Sequence, residues 1–98
     1  MNGVDLIAQE RARQTAPPPH GEGYDHVHDR GTSEDLAMAG AIYATPASER
    51  WPTFETPPEG WPWATDAWKP TPNDRLRELV KAGALIAAAI DALPEREP

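Results

Sequence analysis

The chain predicts an all-α fold: three helices, with a long tryptophan- and proline-rich ordered loop packed on the C-terminal helix. Three observations lead there. Apolar residues recur at helical spacing in three stretches, each preceded by a capping residue. Seven prolines between Pro46 and Pro72 deny that region a regular helix or a central strand. Finally, Trp61-Pro62-Trp63-Ala64-Thr65-Asp66-Ala67-Trp68-Lys69-Pro70 holds three tryptophans, each able to bury roughly 150–250 Å². That segment must serve a core, a site, or both.

The first helix is expected from Gly3 to Thr15. Asn2 is its N-cap and Asp5 places negative charge in the first turn, where the helix dipole favours it. Val4, Ile7, Ala8 and Arg11 share one face by their spacing. Pro17-Pro18-Pro19 ends the element, since each proline biases its predecessor away from helix. Residues 16–31 read as a loop. Its glycines in His20-Gly21-Glu22-Gly23-Tyr24 allow positive φ or close approach, and Tyr24-Asp25-His26-Val27-His28-Asp29 could form a short extended piece. The second helix is expected over Ser33 to Ala44, capped by Thr32 with Asp35 three residues on, close to a capping box. Leu36, Ala39, Gly40 and Tyr43 form its apolar face.

Five large aromatics, Trp51, Phe54, Trp61, Trp63 and Trp68, anchor the proline-rich loop, with a turn at Pro57-Pro58-Glu59-Gly60. Residues 61–70 are read as fixed by their tryptophans, and residues 46–60 as the part that could be mobile. The third helix carries the strongest start signal: Thr71 as N-cap, Pro72 at the first helical position and Asp74 three residues after the cap. Leu76, Leu79, Val80, Gly83, Ala87, Ile90 and Leu93 are its expected buried stripe, and Pro94 its stop, before a charged tail at 94–98. From Pro72 to Leu93 it would span about 22 residues and 33 Å at 1.5 Å per residue. Between Ala82 and Ala92 it is apolar almost all round, broken only by Asp91, which implies burial on every side. In so short a chain, that points to a second copy as cover.

Residues 1–98 form one small domain. Leu, Ile, Val and Phe number only 14, against 16 alanines and a net charge of −7. Four tryptophans nevertheless argue against wholesale disorder. With no cysteine, disulfides, thiolate catalysis and Cys-based zinc sites are excluded. The first fifteen residues lack the basic and apolar regions of a signal peptide. The longest apolar run, Ala82 to Ile90, is well short of the ~20 residues a bilayer requires. The expectation is a soluble cytoplasmic protein without membrane contact. Its acidity argues against nucleic-acid binding.

Candidate chemistry falls into two groups. In an extended segment His26 and His28 point the same way, so with Asp25 and Asp29 they are weak candidates for holding a metal, His20 or Glu22 supplying a third ligand. Their spacing matches no established zinc signature, and a solvated polar loop explains them as well. All-α nucleoside triphosphate pyrophosphatases hold magnesium with helical carboxylates at i, i+3. Here Glu34 and Asp35 are adjacent, about 100° apart on a helix, and suit a helix N-terminus better. The second group is cationic and aromatic. Arg11 and Arg13 near the end of the first helix, Arg75 and Arg77 in the third, and Lys69 beside Trp68 are the cations available to an anionic ligand. Arginine beside an aromatic face holds a base and its phosphate by stacking and paired hydrogen bonds. No G-x-S-x-G or P-loop occurs, so hydrolase or NTPase chemistry of those kinds has no support.

Several motifs together resemble a family of small phage and prophage proteins: Glu10-Arg11-x-Arg13-Gln14; Glu22-Gly23-Tyr24 with His28-Asp29; Leu36-Ala37-x-Ala39; Tyr43-Ala44-Thr45-Pro46; Trp61-Pro62-Trp63; Trp68-Lys69-Pro70; and Arg75-x-Arg77-Glu78-Leu79-Val80-Lys81-Ala82-Gly83-Ala84-Leu85-Ile86. The family pattern has a second Asp where Arg30 stands, a Trp where Ala67 stands and a Glu where Ala89 stands. Arg30 thus argues against a metal held by that acidic pair. The order of helix, E-G-Y, H-D and late helix is also similar to the ryanodine-receptor repeat domain, which implies a small ligand-binding or interaction module.

Residues and resemblance together lead to a non-enzymatic phage accessory protein in the bacterial host's cytoplasm, dimeric and without a cofactor. It would bind a small anionic, nucleotide-like ligand or block a host protein, a role that could extend to counter-defence. Arg11, Tyr24, Trp61, Trp63, Trp68, Lys69 and Arg75 are the expected ligand contacts. The rival is a nucleotide pyrophosphatase-like or metal-dependent hydrolase using Asp25, His28, Asp29 and Glu34. A third option is a purely structural dimer.

Overall fold

A computed structural model describes residues 1–15, 30–50 and 56–93. The described residues form three α-helices, α1 (Gly3–Thr15), α2 (Arg30–Ala44) and α3 (Arg75–Asp91), with short 3-10 turns at Ala47–Glu49 and Thr65–Ala67. No strand occurs among them, and the all-α expectation holds. α3 is the shared wall: α2 packs along one side of it and α1 along another.

α1 begins as its residues dictate. Asn2 Oδ1 accepts the Asp5 N–H at 2.9 Å, while Asp5 Oδ2 accepts the Asn2 N–H at 3.4 Å. This reciprocal pair satisfies two donors at the helix start. The face turned inward is not the expected one. Val4 and Ala8 are exposed, and the buried side chains are Glu10 and Gln14. Ile7 still reaches α3, lying so close to Gly83 that a Cβ there would meet Ile7 Cγ1 at 2.8 Å. The proline run proposed to stop α1 lies outside the described residues.

α2 starts at Arg30 rather than Ser33, so Thr32 sits inside the helix and is not its cap. Ser33 is drawn into the first turn by α3: its hydroxyl donates to the Ala89 carbonyl at 2.7 Å. Leu36, Ala39, Gly40 and Tyr43 are all buried, as their spacing predicts. The helices approach closely enough that a Cβ on Gly40 would meet the Ala82 carbonyl at 3.1 Å. At its C-terminus, α2 leaves carbonyls without helical partners. Arg75 donates to the carbonyls of Tyr43 (3.2 Å), Ala44 and Thr45 (3.4 Å), and Arg50 adds a bond to Thr45 O at 3.2 Å.

α3 also differs from expectation at its start. Asp74, not Thr71, is the N-cap, accepting the Arg77 N–H at 3.0 Å. Thr71-Pro72-Asn73-Asp74 instead forms a turn closed by Asp74 N–H to Thr71 O at 2.8 Å. Proline favours the second position of such a turn, so Pro72 serves the turn and the helix begins three residues later. The last α-helical residue is Asp91, not Leu93, giving 17 residues.

The buried face of α3 is Glu78, Ala82, Ala84, Leu85, Ala88 and Ala89, followed by Ala92 just past the helix end. Leu76, Leu79 and Ile90, expected in the buried stripe, are exposed on the single chain, as is Ile86. The physical reason is close approach. Small alanines let α2 seat against α3, and the larger aliphatics are displaced to the flank.

The loop completes this core. Trp68, 6% exposed, stacks on Tyr43 with ring centroids 5.0 Å apart, and Trp61 meets both rings edge-on at 5.7 and 5.0 Å. Such pairs add to the area that each aromatic buries. The loop is tied to α3 by the Thr71 N–H on Glu78 Oε2 (3.1 Å) and by Lys81 Nζ on Lys69 O (2.7 Å). Glu78 is fully buried and pairs with buried Arg50 at 2.7 Å.

Candidate functional site

The seam between α1 and α3 centres on one carboxylate. Glu10, 4% exposed, accepts two bonds from Arg13, at 2.9 and 2.7 Å, in a side-by-side geometry. It accepts two more from Arg77, at 2.6 and 3.3 Å, and a fifth from Gln14 Nε2 at 3.1 Å. Burial alone would raise the Glu10 pKa. The arginine bonds and charges outweigh it and hold the carboxyl at about 2, down from 4.5. Glu10 is therefore ionised at neutral pH and accepts hydrogen bonds only.

Two recesses flank this cluster, with Glu10 and Arg13 on the wall of each. The wider, about 450 Å³, lies between α1 and the start of α3, with Leu6, Leu76 and Val80 on its sides and Arg77 at its edge. That falls within the range of small-molecule sites. The narrower, about 50 Å³, lies under the tryptophan loop, walled by Trp61, Trp63, Tyr43, Gln14, Lys69 and Lys81. It has room for about one or two water-sized groups. Trp63, 38% exposed, packs edge-on to Trp61 at 5.4 Å. Lys81 Nζ lies over the Tyr43 ring at 5.1 Å, and the Tyr43 hydroxyl accepts the Lys69 N–H at 3.0 Å.

Three of the expected contacts, Trp61, Trp63 and Lys69, meet at the narrower recess. Trp68 lies beneath them in the core, with the Arg50 guanidinium 5.3 Å from its ring centroid. The other two arginines are placed elsewhere. Arg75 spends its guanidinium on the end of α2, and Arg11 pairs with Asp91 at 3.1 Å. Tyr24 lies outside the described residues, as do His20, Glu22, Asp25, His26, His28 and Asp29. Glu34 is exposed on α2. Among the described residues no group of three metal-type side chains converges, and no helix is long and apolar enough to cross a membrane.

Sequence reasoning missed Glu10, Gln14 and Lys81 as parts of the recess and named Arg13 only as a nearby cation. A signal was present: Glu10, Arg13 and Gln14 fall at i, i+3 and i+4, one helical face. Gln14 carries a further peculiarity. Its Oε1 is buried and has no hydrogen-bond partner among the described residues, an arrangement that costs about 1–3 kcal/mol when left unmet.

Compared with known proteins, the chain matches no family model, no curated protein and no solved structure.

Proposed function

We propose that this chain is a non-enzymatic binding protein for a small anionic ligand with an aromatic ring, nucleotide-like in chemistry. One observation carries the reading. In a chain of net charge −7, Arg13, Lys69 and Lys81 gather beside Trp61 and Trp63 around a single recess. Cations concentrated against such a background focus an anion locally, and an exposed indole face offers a ring somewhere to stack. The narrower recess admits only a small group, so the bulk of the ligand extends across Glu10 and Arg13 toward the wider one. Arg77 there has donors to spare for a phosphate, since guanidinium carries five and only its two terminal nitrogens are engaged, both by Glu10. This is in keeping with the resemblance to small phage and prophage proteins and to a ligand-binding repeat domain.

Tryptophan emission provides the test, because Trp61 and Trp63 line the recess. Titration with nucleoside monophosphates is expected to change emission saturably, and Lys69→Ala with Lys81→Ala to weaken binding about tenfold or more. No response in emission or in titration calorimetry removes the reading. Nucleotide turnover lost in Asp29→Asn would replace it with the hydrolase alternative. Two copies associating through exposed Leu79, Ile86 and Ile90 is the second part of the proposal. A solution mass of 10.7 kDa rather than twice that value removes it.

A further inference from the structure

We infer that the ligand presents a hydrogen-bond donor to Gln14, specifically a ring amino group such as that of cytosine or adenine. The inference rests on the nucleotide-like reading above and adds a rule of selectivity to it.

The orientation of the Gln14 amide follows from its neighbour. Glu10 is ionised, held at about 2 by Arg13 and Arg77 against the opposing effect of its burial, so it can only accept. The group facing it at 3.1 Å must therefore be the Gln14 NH₂. Oε1 is thereby committed to the other side as an acceptor. It is buried, the residue being only 4% exposed, and none of the described residues donates to it. Gln14 forms part of the wall of the narrower recess, together with Lys69, Lys81, Trp61 and Trp63.

A recess of about 50 Å³ suits an amino group and excludes a whole ring. An anion alone gains nothing from Oε1, because two acceptors repel. A base edge satisfies the whole set. Its amino group donates to Gln14 Oε1, its ring nitrogen or carbonyl accepts from a lysine ammonium, and its π-face lies toward Trp63. The phosphate then falls on the guanidinium side, at Arg13 and Arg77. Sites built around a buried acceptor discriminate strongly against analogues that cannot donate, because the polar group is then desolvated without a partner.

Matched pairs test this on the unmodified protein: cytidine against uridine monophosphate, and adenosine against inosine monophosphate. The amino member of each pair is expected to bind at least about tenfold tighter. Gln14→Met, checked for an unchanged helical circular-dichroism spectrum, is expected to abolish the preference and leave the weaker member's affinity within about twofold. Equal binding within both pairs overturns the inference while leaving the anionic-ligand reading intact. A preference that survives in Gln14→Met also overturns it, by assigning the donor to another acceptor. Failure of all four nucleotides to bind removes the underlying reading instead.

Discussion

The two sides of α3 are built on opposite principles. Toward α2 it presents Ala82, Leu85, Ala88 and Ala89 to Leu36, Ala39, Ile42 and Tyr43, an apolar interface beside the buried ion pair of Glu78 with Arg50. Toward α1 the buried groups are Glu10 and Gln14, and contact runs through a carboxylate shared by two arginines. Apolar area removed from water stabilises independently of pH and orientation. Charged contacts stabilise only at good geometry and only while ionised. The α2 side therefore carries the stability of the fold, and the α1 side carries its responsiveness. The recesses open on the responsive side.

That division can be broken first where it is least expected to yield. Glu78→Gln removes the carboxylate charge that pairs with buried Arg50 at 2.7 Å. It should cost about 3–5 kcal/mol, the usual penalty for orphaning half of a buried pair. Urea denaturation reads this directly. The double change Glu78→Met with Arg50→Met should recover most of the loss, since apolar replacements of a buried pair are often neutral. A loss in Glu78→Gln below about 1 kcal/mol would place the pair outside the cooperative core.

The next largest effect concerns pH. Because the folded Glu10 pKa lies below its ordinary value, ionisation favours the folded state. That contribution is complete above about pH 5 and is lost as pH falls through 4.5 toward 2. Arg13 and Arg77 are about one-third exposed, and solvent screening reduces the contribution to about 1–2 kcal/mol. Wild type and Glu10→Gln should differ by that amount at pH 6 and converge near pH 2. Amide exchange in α1 should accelerate before exchange in α2. A constant difference across the range would show that Glu10 acts by packing rather than charge.

The smallest effect belongs to Arg11 and Asp91, whose side chains are 20% and 51% exposed. A double-mutant cycle on this pair should give a coupling of at most about 0.5 kcal/mol. A larger coupling would make the outer edge of the α1 side a structural brace and blur the contrast.

How far the sequence discloses this arrangement depends on the range of the forces involved. The bounds of α1 were legible to the residue, its start because Asn2 and Asp5 act within three positions, but its buried face was not. The apolar face of α2 was legible because leucine, tyrosine and small residues repeat at helical spacing. Trp61, Trp63 and Lys69 gather as expected, since a short proline-bounded segment holds them together. The orientation of α3 was not legible: which side faces inward depends on how closely α2 can approach. Pro72 suits both a helix start and a turn, and only the Glu78 bond to the Thr71 N–H distinguishes them. The Glu10 cluster was hidden for a similar reason. Its partner Arg77 lies 67 positions away, and a buried glutamate runs against the ordinary rule for charged residues.

Glu78 has one further consequence. Arg50, where the chain leaves the helical layer, and Thr71, where it returns, both bind the same carboxylate oxygen. The intervening segment is thus clasped at its base like a purse, independently of how much chain it contains. Closing a longer loop costs only about 0.6 kcal/mol for each doubling of length. Lengthening the chain between these two clasp points is therefore expected to leave the helices beneath it intact.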